Sequence, residues 1–221
     1  PTGRTKGHWE PHQSVPDNWE IRYPLSDAHT LHFSLELTRF KHVGLFPEQA
    51  ANWRWLADRL ADRRRVSPAA ERKFKGELAR HGMGDATVWL LKPLTFMNKS
   101  GEAVQPLCAF HKIAPESVLV VHDDLDLPAG TARLKQSGGH GGHNGLRDIT
   151  RVIGSQYRRL RIGIGHPGDS ARVLSHVLGT PAPDERIEID NAINAGIAAL
   201  EVVLDKGWDH GAQQLNSRKA S

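Results

Sequence analysis

Three acidic side chains crowd the segment VHDDLDLPAG, where Asp123, Asp124 and Asp126 follow the apolar run from Val118 to Val121. A carboxylate at a strand end can orient a histidine and fix the tautomer that serves as general base. Histidines stand in SGGHGGHNG, with His140 and His143 three apart and Asn144 directly after them. Spacing of this kind also raises a metal site. Gly138, Gly139, Gly141 and Gly142 argue against it, because they supply backbone freedom and close approach to a ligand rather than rigid metal ligands. No metal and no cofactor are expected. A third segment, KPLTFMNKSG, sets Phe96 and Asn98 in a loop. The ring of Phe96 can stack on a base or a substrate residue, and the Asn98 amide can hold a carbonyl or a water.

Other chemistries find little support. GIGHPG has the glycine spacing of a dinucleotide turn, but Pro167 lies inside it and it comes late in the chain. No phosphate loop of the glycine-lysine-serine type occurs, which argues against nucleotide hydrolysis. The net charge is +4 and the basic residues are grouped: Arg63 to Arg65, Arg133 with Lys135, Arg147 with Arg151, and Arg158, Arg159 and Arg161. Grouped cations suit a polyanion, since each phosphate neutralised releases counterions; a solvated charged face is the plainer alternative. One cysteine, Cys108, cannot form an intrachain disulfide, and no apolar run of about 18 residues is present. A cytoplasmic chain without a membrane span is expected.

The elements that must position these residues can be read from periodicity. Leu31, Phe33, Leu35 and Leu37 alternate as a half-buried strand, and a helix is expected from Pro47 with Trp53, Leu56, Ala57 and Leu60 on one face. Phe74 to Arg80 and Thr87 to Leu91 flank the turn-rich HGMGDA and read as a hairpin that Pro93 stops. Ser100 is positioned to cap a helix running toward His111, with Val104, Leu107 and Cys108 inward. The run at Val118 to Val121 is apolar on both faces, the mark of a buried, central, parallel strand. Ala132 to Lys135 and Leu160 to Ile164 are further strands, a short helix starts at Leu146, and a long helix covers Asp184 to about Leu204. The class is therefore α/β, a single domain with a mixed, largely parallel twisted sheet flanked by helices. Residues 1–30 are expected to be irregular, residues 31–221 to form the domain, and residues 31–54 to be its atypical part.

Taken in order, KPLTFMNKSG, VHDDLDLPAG, SGGHGGHNGLRDI and RLRIGIGHPG resemble the signature of bacterial peptidyl-tRNA hydrolases, from about Trp55 to the C-terminus. That resemblance implies hydrolysis of the ester joining a peptide to tRNA, without a metal or cofactor, by a monomer. It makes Asp123 the carboxylate that orients the catalytic histidine. Asn98 and Asn144 become amides that position substrate or water, Phe96 shapes the peptide crevice, and His143 lies on the tRNA-facing wall. Arg133 and Lys135 would meet tRNA phosphates. The family's opening GLGNPG turn and its TRHN, whose histidine is the general base, are missing, and ungapped alignment puts Ala50 in the histidine's place. Instead LELTRFKHVGLFPEQAANW resembles the start of certain class I methyltransferases. This departure is read as a join of two genes in preference to a divergent homologue. A tRNA-binding protein without turnover is the alternative function.

Overall fold

The computed structural model describes residues 18–26, 29–36, 67–83 and 86–218. Strands β1 (Asn18–Ser26) and β2 (His29–Glu36) pair antiparallel and fall in one unit, Pro1–Leu45, while the other described elements belong to a second, Phe46–Ser221. The segment from Asn18 is thus a strand rather than irregular. Trp19, Ile21 and Tyr23 alternate and stand in register with Leu35, Phe33 and Leu31. Their two-residue period is the strand signal that Pro16 and Pro24 obscure. The expected helix from Pro47, with Ala50 in it, lies outside the described residues.

In the second unit β3 (Ala69–Glu71), β4 (Gly76–Met83) and β5 (Ala86–Pro93) form one antiparallel sheet, with the expected hairpin between β4 and β5. Helix α1 (Gly101–His111) then leads to β6 (Leu119–Asp124), β7 (Ala132–Gln136), α2 (Asn144–Ile153) and β8 (Arg158–Gly163). Three C-terminal helices follow: α3 (Val173–Leu178), α4 (Pro183–Lys206) and α5 (Trp208–Asn216).

The second sheet has the order β6-β8-β7, with β6–β8 parallel and β7–β8 antiparallel. The mixed α/β class holds, with two corrections of detail. Among the described residues β8, not β6, is central, and β6–β8 is the parallel pair. An apolar run on both faces reports cover from both sides of the sheet, not a place in the strand order. The link from β6 to β7 is too short for the crossover of about a dozen residues that parallel neighbours need, whereas α2 provides one on the way to β8.

Each face of this sheet has its own core. Ala132, Leu134, Leu160 and Ile162 meet Ile189, Ile193, Ile197 and Leu200 of α4 and Leu215 of α5 on one side. On the other, Val118, Val120 and Tyr157 meet Val104 and Cys108 of α1 and Leu146 and Ile149 of α2. Apolar residues at spacings of three and four give α4 its buried stripe. Its start is fixed by Pro183 and by the Glu185 carboxylate, which accepts the Ala182 amide at 3.1 Å. Gly196 lets α4 approach β8, since a Cβ there would stand 2.9 Å from Leu160 Cδ2. Leu160 is fully buried at the centre of this contact. Leu160→Ala is therefore expected to cost about 3 kcal/mol in urea unfolding, the usual range for a cavity at a packed site being about 2–5. A loss under about 1 kcal/mol would show that β8 is not the centre of the core.

Candidate functional site

The carboxyl end of β6 sorts its acids by partner. Asp124 Oδ2 takes Arg161 Nε of β8 at 2.6 Å, and its Oδ1 accepts the Asp126 amide at 3.0 Å, so Asp124 is committed to the local fold. Asp123 instead reaches His143, with Oδ1 3.3 Å from Nε2. Burial pushes the Asp123 carboxyl up, but the His143 hydrogen bond and the pull of His143 and His122 outweigh it and hold it below the usual carboxylate range.

His143 is the N-cap of α2. Its Nδ1 accepts the amides of Gly145 at 3.1 Å and Leu146 at 3.2 Å. An accepting Nδ1 is unprotonated, so the proton of the neutral ring sits on Nε2 and is donated to Asp123. Neither nitrogen is then left to take a substrate proton, and only 15% of the side chain is exposed. The ring faces inward, on the acid, rather than outward.

The glycine-rich loop before it is firmly held, contrary to what its composition suggests. Arg159, buried at 3% exposure, donates both terminal nitrogens to the carbonyls of Gly138 and Gly139. Its guanidinium also lies 4.7 Å from the Tyr157 ring centroid. His140 Nδ1 accepts the Gly142 amide at 3.2 Å, and Gly141 and Gly142 take the positive φ values that bring the chain round to His143.

His122 packs edge-on against His143, with ring centroids 5.3 Å apart. Its Nδ1–H donates to the Asp123 carbonyl at 2.7 Å, while its Nε2 is buried without a partner. Burial pushes this imidazole down to about 4 against the partial compensation of that hydrogen bond.

Asn98 lies in the turn Met97–Lys99 ahead of α1. The expected serine cap is replaced: Ser100 Oγ donates to Met97 O at 2.7 Å, and the first amide of α1, Gly101 N, donates to Asp148 Oδ2 of α2 at 2.8 Å. The turn also lies against the start of α2, where a Cβ on Gly145 would stand 3.1 Å from Met97 O. These contacts bring Asn98 and Asn144 into one open depression of about 320 Å³, lined also by Arg147, Asp148 and Arg151. Asp123 does not line it, but is bonded to the residue that precedes Asn144. Phe96 is 55% exposed and outside the depression. Arg133 and Lys135 share one face of β7, opposite Arg161 and Arg159 of β8. With Arg161 bound to Asp124 and Arg159 to the loop, Arg133 and Lys135 form no ion pair among the described residues.

Sequence reasoning missed Asp148, Arg159 and the inward role of His143. Asp148 had one available signal, its position four residues after Asn144 and therefore on the same face of a helix. No group of three or more histidine, cysteine or acidic residues among the described residues could hold a metal ion.

Comparison with known proteins adds relatives of high similarity. Residues 53–221 match the family model described as peptidyl-tRNA hydrolase. The peptidyl-tRNA hydrolase of Psychrobacter arcticus is 47% identical over 165 residues, which is 75% of this chain and 86% of that protein. That of Thiobacillus denitrificans is 49% identical over 168 residues, 76% of this chain and 81% of its own. The crystal structure of peptidyl-tRNA hydrolase from Acinetobacter baumannii aligns with a TM-score of 0.72 at 42% identity, covering 76% of this chain and 85% of that one.

The buried neutral His122 gives the site a pH signature. Its folded value lies below that of the unfolded chain, so lowering pH from about 6.5 to about 4 protonates the unfolded state first, at a cost of about 3 kcal/mol of stability. Asp123 and Asp124, also held low, add their loss below about pH 4 as they protonate. Replacing His122 with Asn is expected to flatten the upper part of this decline in urea unfolding at stepped pH. An unchanged slope between pH 6.5 and 4 would contradict the burial of a neutral ring.

Proposed function

We propose, for a chain that belongs to the peptidyl-tRNA hydrolase family, that its ligand is peptidyl-tRNA and its reaction is hydrolysis of the ester between peptide and tRNA. The observation that carries this reading is the linked set Asp123, His143, Asn144 and Asn98, assembled from β6, α2 and the turn before α1 in a chain 47% identical to a named family member. In this role Asn98 and Asn144 hold the substrate carbonyl or the attacking water, and Asp123 orients the base. Phe96, exposed ahead of Asn98, borders the peptide, while Arg133 and Lys135 meet RNA phosphates.

A specific observation favours slow turnover. Asp123 is held as a weak base, both nitrogens of His143 are engaged, and His122 is buried with its basicity lowered. No histidine with a free, accessible nitrogen contacts Asp123 among the described residues, and on ungapped alignment the family histidine's place falls to Ala50, which cannot take a proton. A positioned general base contributes about 100-fold to 10,000-fold, so losses of that order are expected. The second reading, a tRNA-binding homologue without turnover, is the limit of the same argument. A single chain acting in the cytoplasm completes the proposal, supported by one free buried cysteine and by the lack, among the described residues, of a helix long and apolar enough to cross a membrane.

Single-turnover hydrolysis of a labelled peptidyl-tRNA tests the proposal. The chain should be at least about 100-fold slower than a version whose residues before Trp55 are replaced by a family-type strand, GLGNPG turn and TRHN. Equal rates would mean that another residue supplies the base; no rate in either would contradict the esterase reading. Affinity for tRNA should also fall steeply with salt, and substituting Arg133 and Lys135 together with Ala should flatten that dependence by about two phosphate contacts. An affinity indifferent to salt would remove these residues from the interface.

A further inference from the structure

We propose that Asn216, the last residue of α5, is a positioning residue for RNA binding. Its carboxamide pairs with the outer edge of β7 and so sets the direction in which Arg133 and Lys135 point. The proposal rests on the reading that these two cations meet RNA phosphates, and adds to it a residue that acts through them.

Among the described residues β7 is an edge strand, paired with β8 on one side only. Such an edge presents a row of outward N–H and C=O groups without strand partners. Asn216 takes both groups of Leu134: its Oδ1 accepts the Leu134 amide and its Nδ2 donates to the Leu134 carbonyl, each at 2.9 Å. The side chain thus makes the reciprocal pair of bonds that a neighbouring antiparallel strand would make. Asn216 is an exposed residue whose amide water could satisfy, yet both of its ends are given to this one backbone position.

The clamp has a fixed base. Helix α5 lies so close on α4 that a Cβ on Gly211 would stand 2.7 Å from Ala199 O, and Leu215, next to Asn216, is buried in the same core as Leu134. Leu134 is therefore held by its side chain from the core and by its backbone from the edge. Side chains alternate along a strand, so Arg133 and Lys135 flank Leu134 on the opposite face. Thr131 O bonds Gly163 N of β8, which turns Ala132 O, like the Leu134 groups, to the outer edge. There Ala132 O accepts Arg133 Nη1 at 2.8 Å, beside the Asn216 clamp. Lys135 runs past the following loop, where a Cβ on Gly138 would stand 3.2 Å from its Cε. Both cations are thus arranged on a strand whose free edge is pinned, and groups ordered in advance lose less entropy when a ligand binds.

The test is a mutant cycle on the full chain, with binding of tRNA followed by fluorescence anisotropy. Asn216→Ala should weaken binding about threefold to tenfold, a partial loss of two phosphate contacts. Made in a chain that already carries Arg133→Ala and Lys135→Ala, the same change should have no effect, because nothing is left for Asn216 to position. Hydrogen exchange at the Leu134 amide should quicken in both backgrounds, as its partner is gone. Asn216→Ser, too short to span both groups of Leu134, carries the same comparison if the alanine variant does not fold. An equal loss of affinity in both backgrounds, the mark of a general structural effect or of direct contact between Asn216 and RNA, overturns the proposal. So does an unchanged affinity in the chain that keeps Arg133 and Lys135, or a Leu134 amide that exchanges no faster. If Arg133→Ala with Lys135→Ala leaves the affinity unchanged, the reading beneath the proposal fails, and the positioning role with it.

Discussion

His143 is held at both ring nitrogens, and the geometry of the site descends from that. Nδ1 accepts the first free amides of α2, which forces the proton onto Nε2, and Nε2 then donates to Asp123 at the end of β6. A sheet and a helix that share no backbone pairing are thereby set at a fixed spacing. Asn144, the next residue, inherits its place from the cap. Asp148, one turn further along α2, reaches across to the first amide of α1 and fixes the turn that carries Asn98. Two side-chain contacts therefore align three elements, and being partly buried they count for more than surface contacts of the same length.

Charge is distributed to the same end. Asp124 and Asp148 are each matched with an arginine, Arg161 and Arg151, and Arg159 is buried in holding the loop ahead of His143. Arg133 and Lys135 on β7 and Arg147 on α2 remain without an ion pair among the described residues, as does the exposed acid Asp126. The unpaired cations on β7 and α2 suit contact with a polyanion. Among the described residues no accessible base stands beside Asp123, because the cap and the acid take up the nitrogens of His143 and burial takes up His122. Binding and positioning are thus better provided in these residues than proton transfer.

Much of this was legible from residue order. The acids after Val118 to Val121, the hairpin around HGMGDA and the long C-terminal helix follow from apolar period and turn residues, which are local properties. Asp123 could be singled out by its place in the ordered motifs, but its contact with His143 could not, since twenty residues separate them and the loop between is shaped by a buried arginine. Among the described residues the Val118–Val121 strand is not central, for a general reason: residue pattern reports what covers a strand's faces, while neighbours in the sheet are set by connection lengths and by other strands. Asn18–Ser26 was missed because prolines at its margin outweighed a three-step alternation. The composition of the glycine loop suggested looseness, and only the geometry shows Arg159 holding it.

The protonation state of His143 tests the account most directly. Nitrogen NMR of histidine-labelled protein in mildly alkaline buffer separates a bare ring nitrogen from a protonated one. The account predicts a bare Nδ1 and a proton on Nε2, with Asp123→Asn shifting the Nε2 signal and leaving Nδ1 in place. A proton found on Nδ1 would contradict it, for His143 would then neither cap α2 nor be pinned by Asp123, and its Nε2 would be free to act as the base.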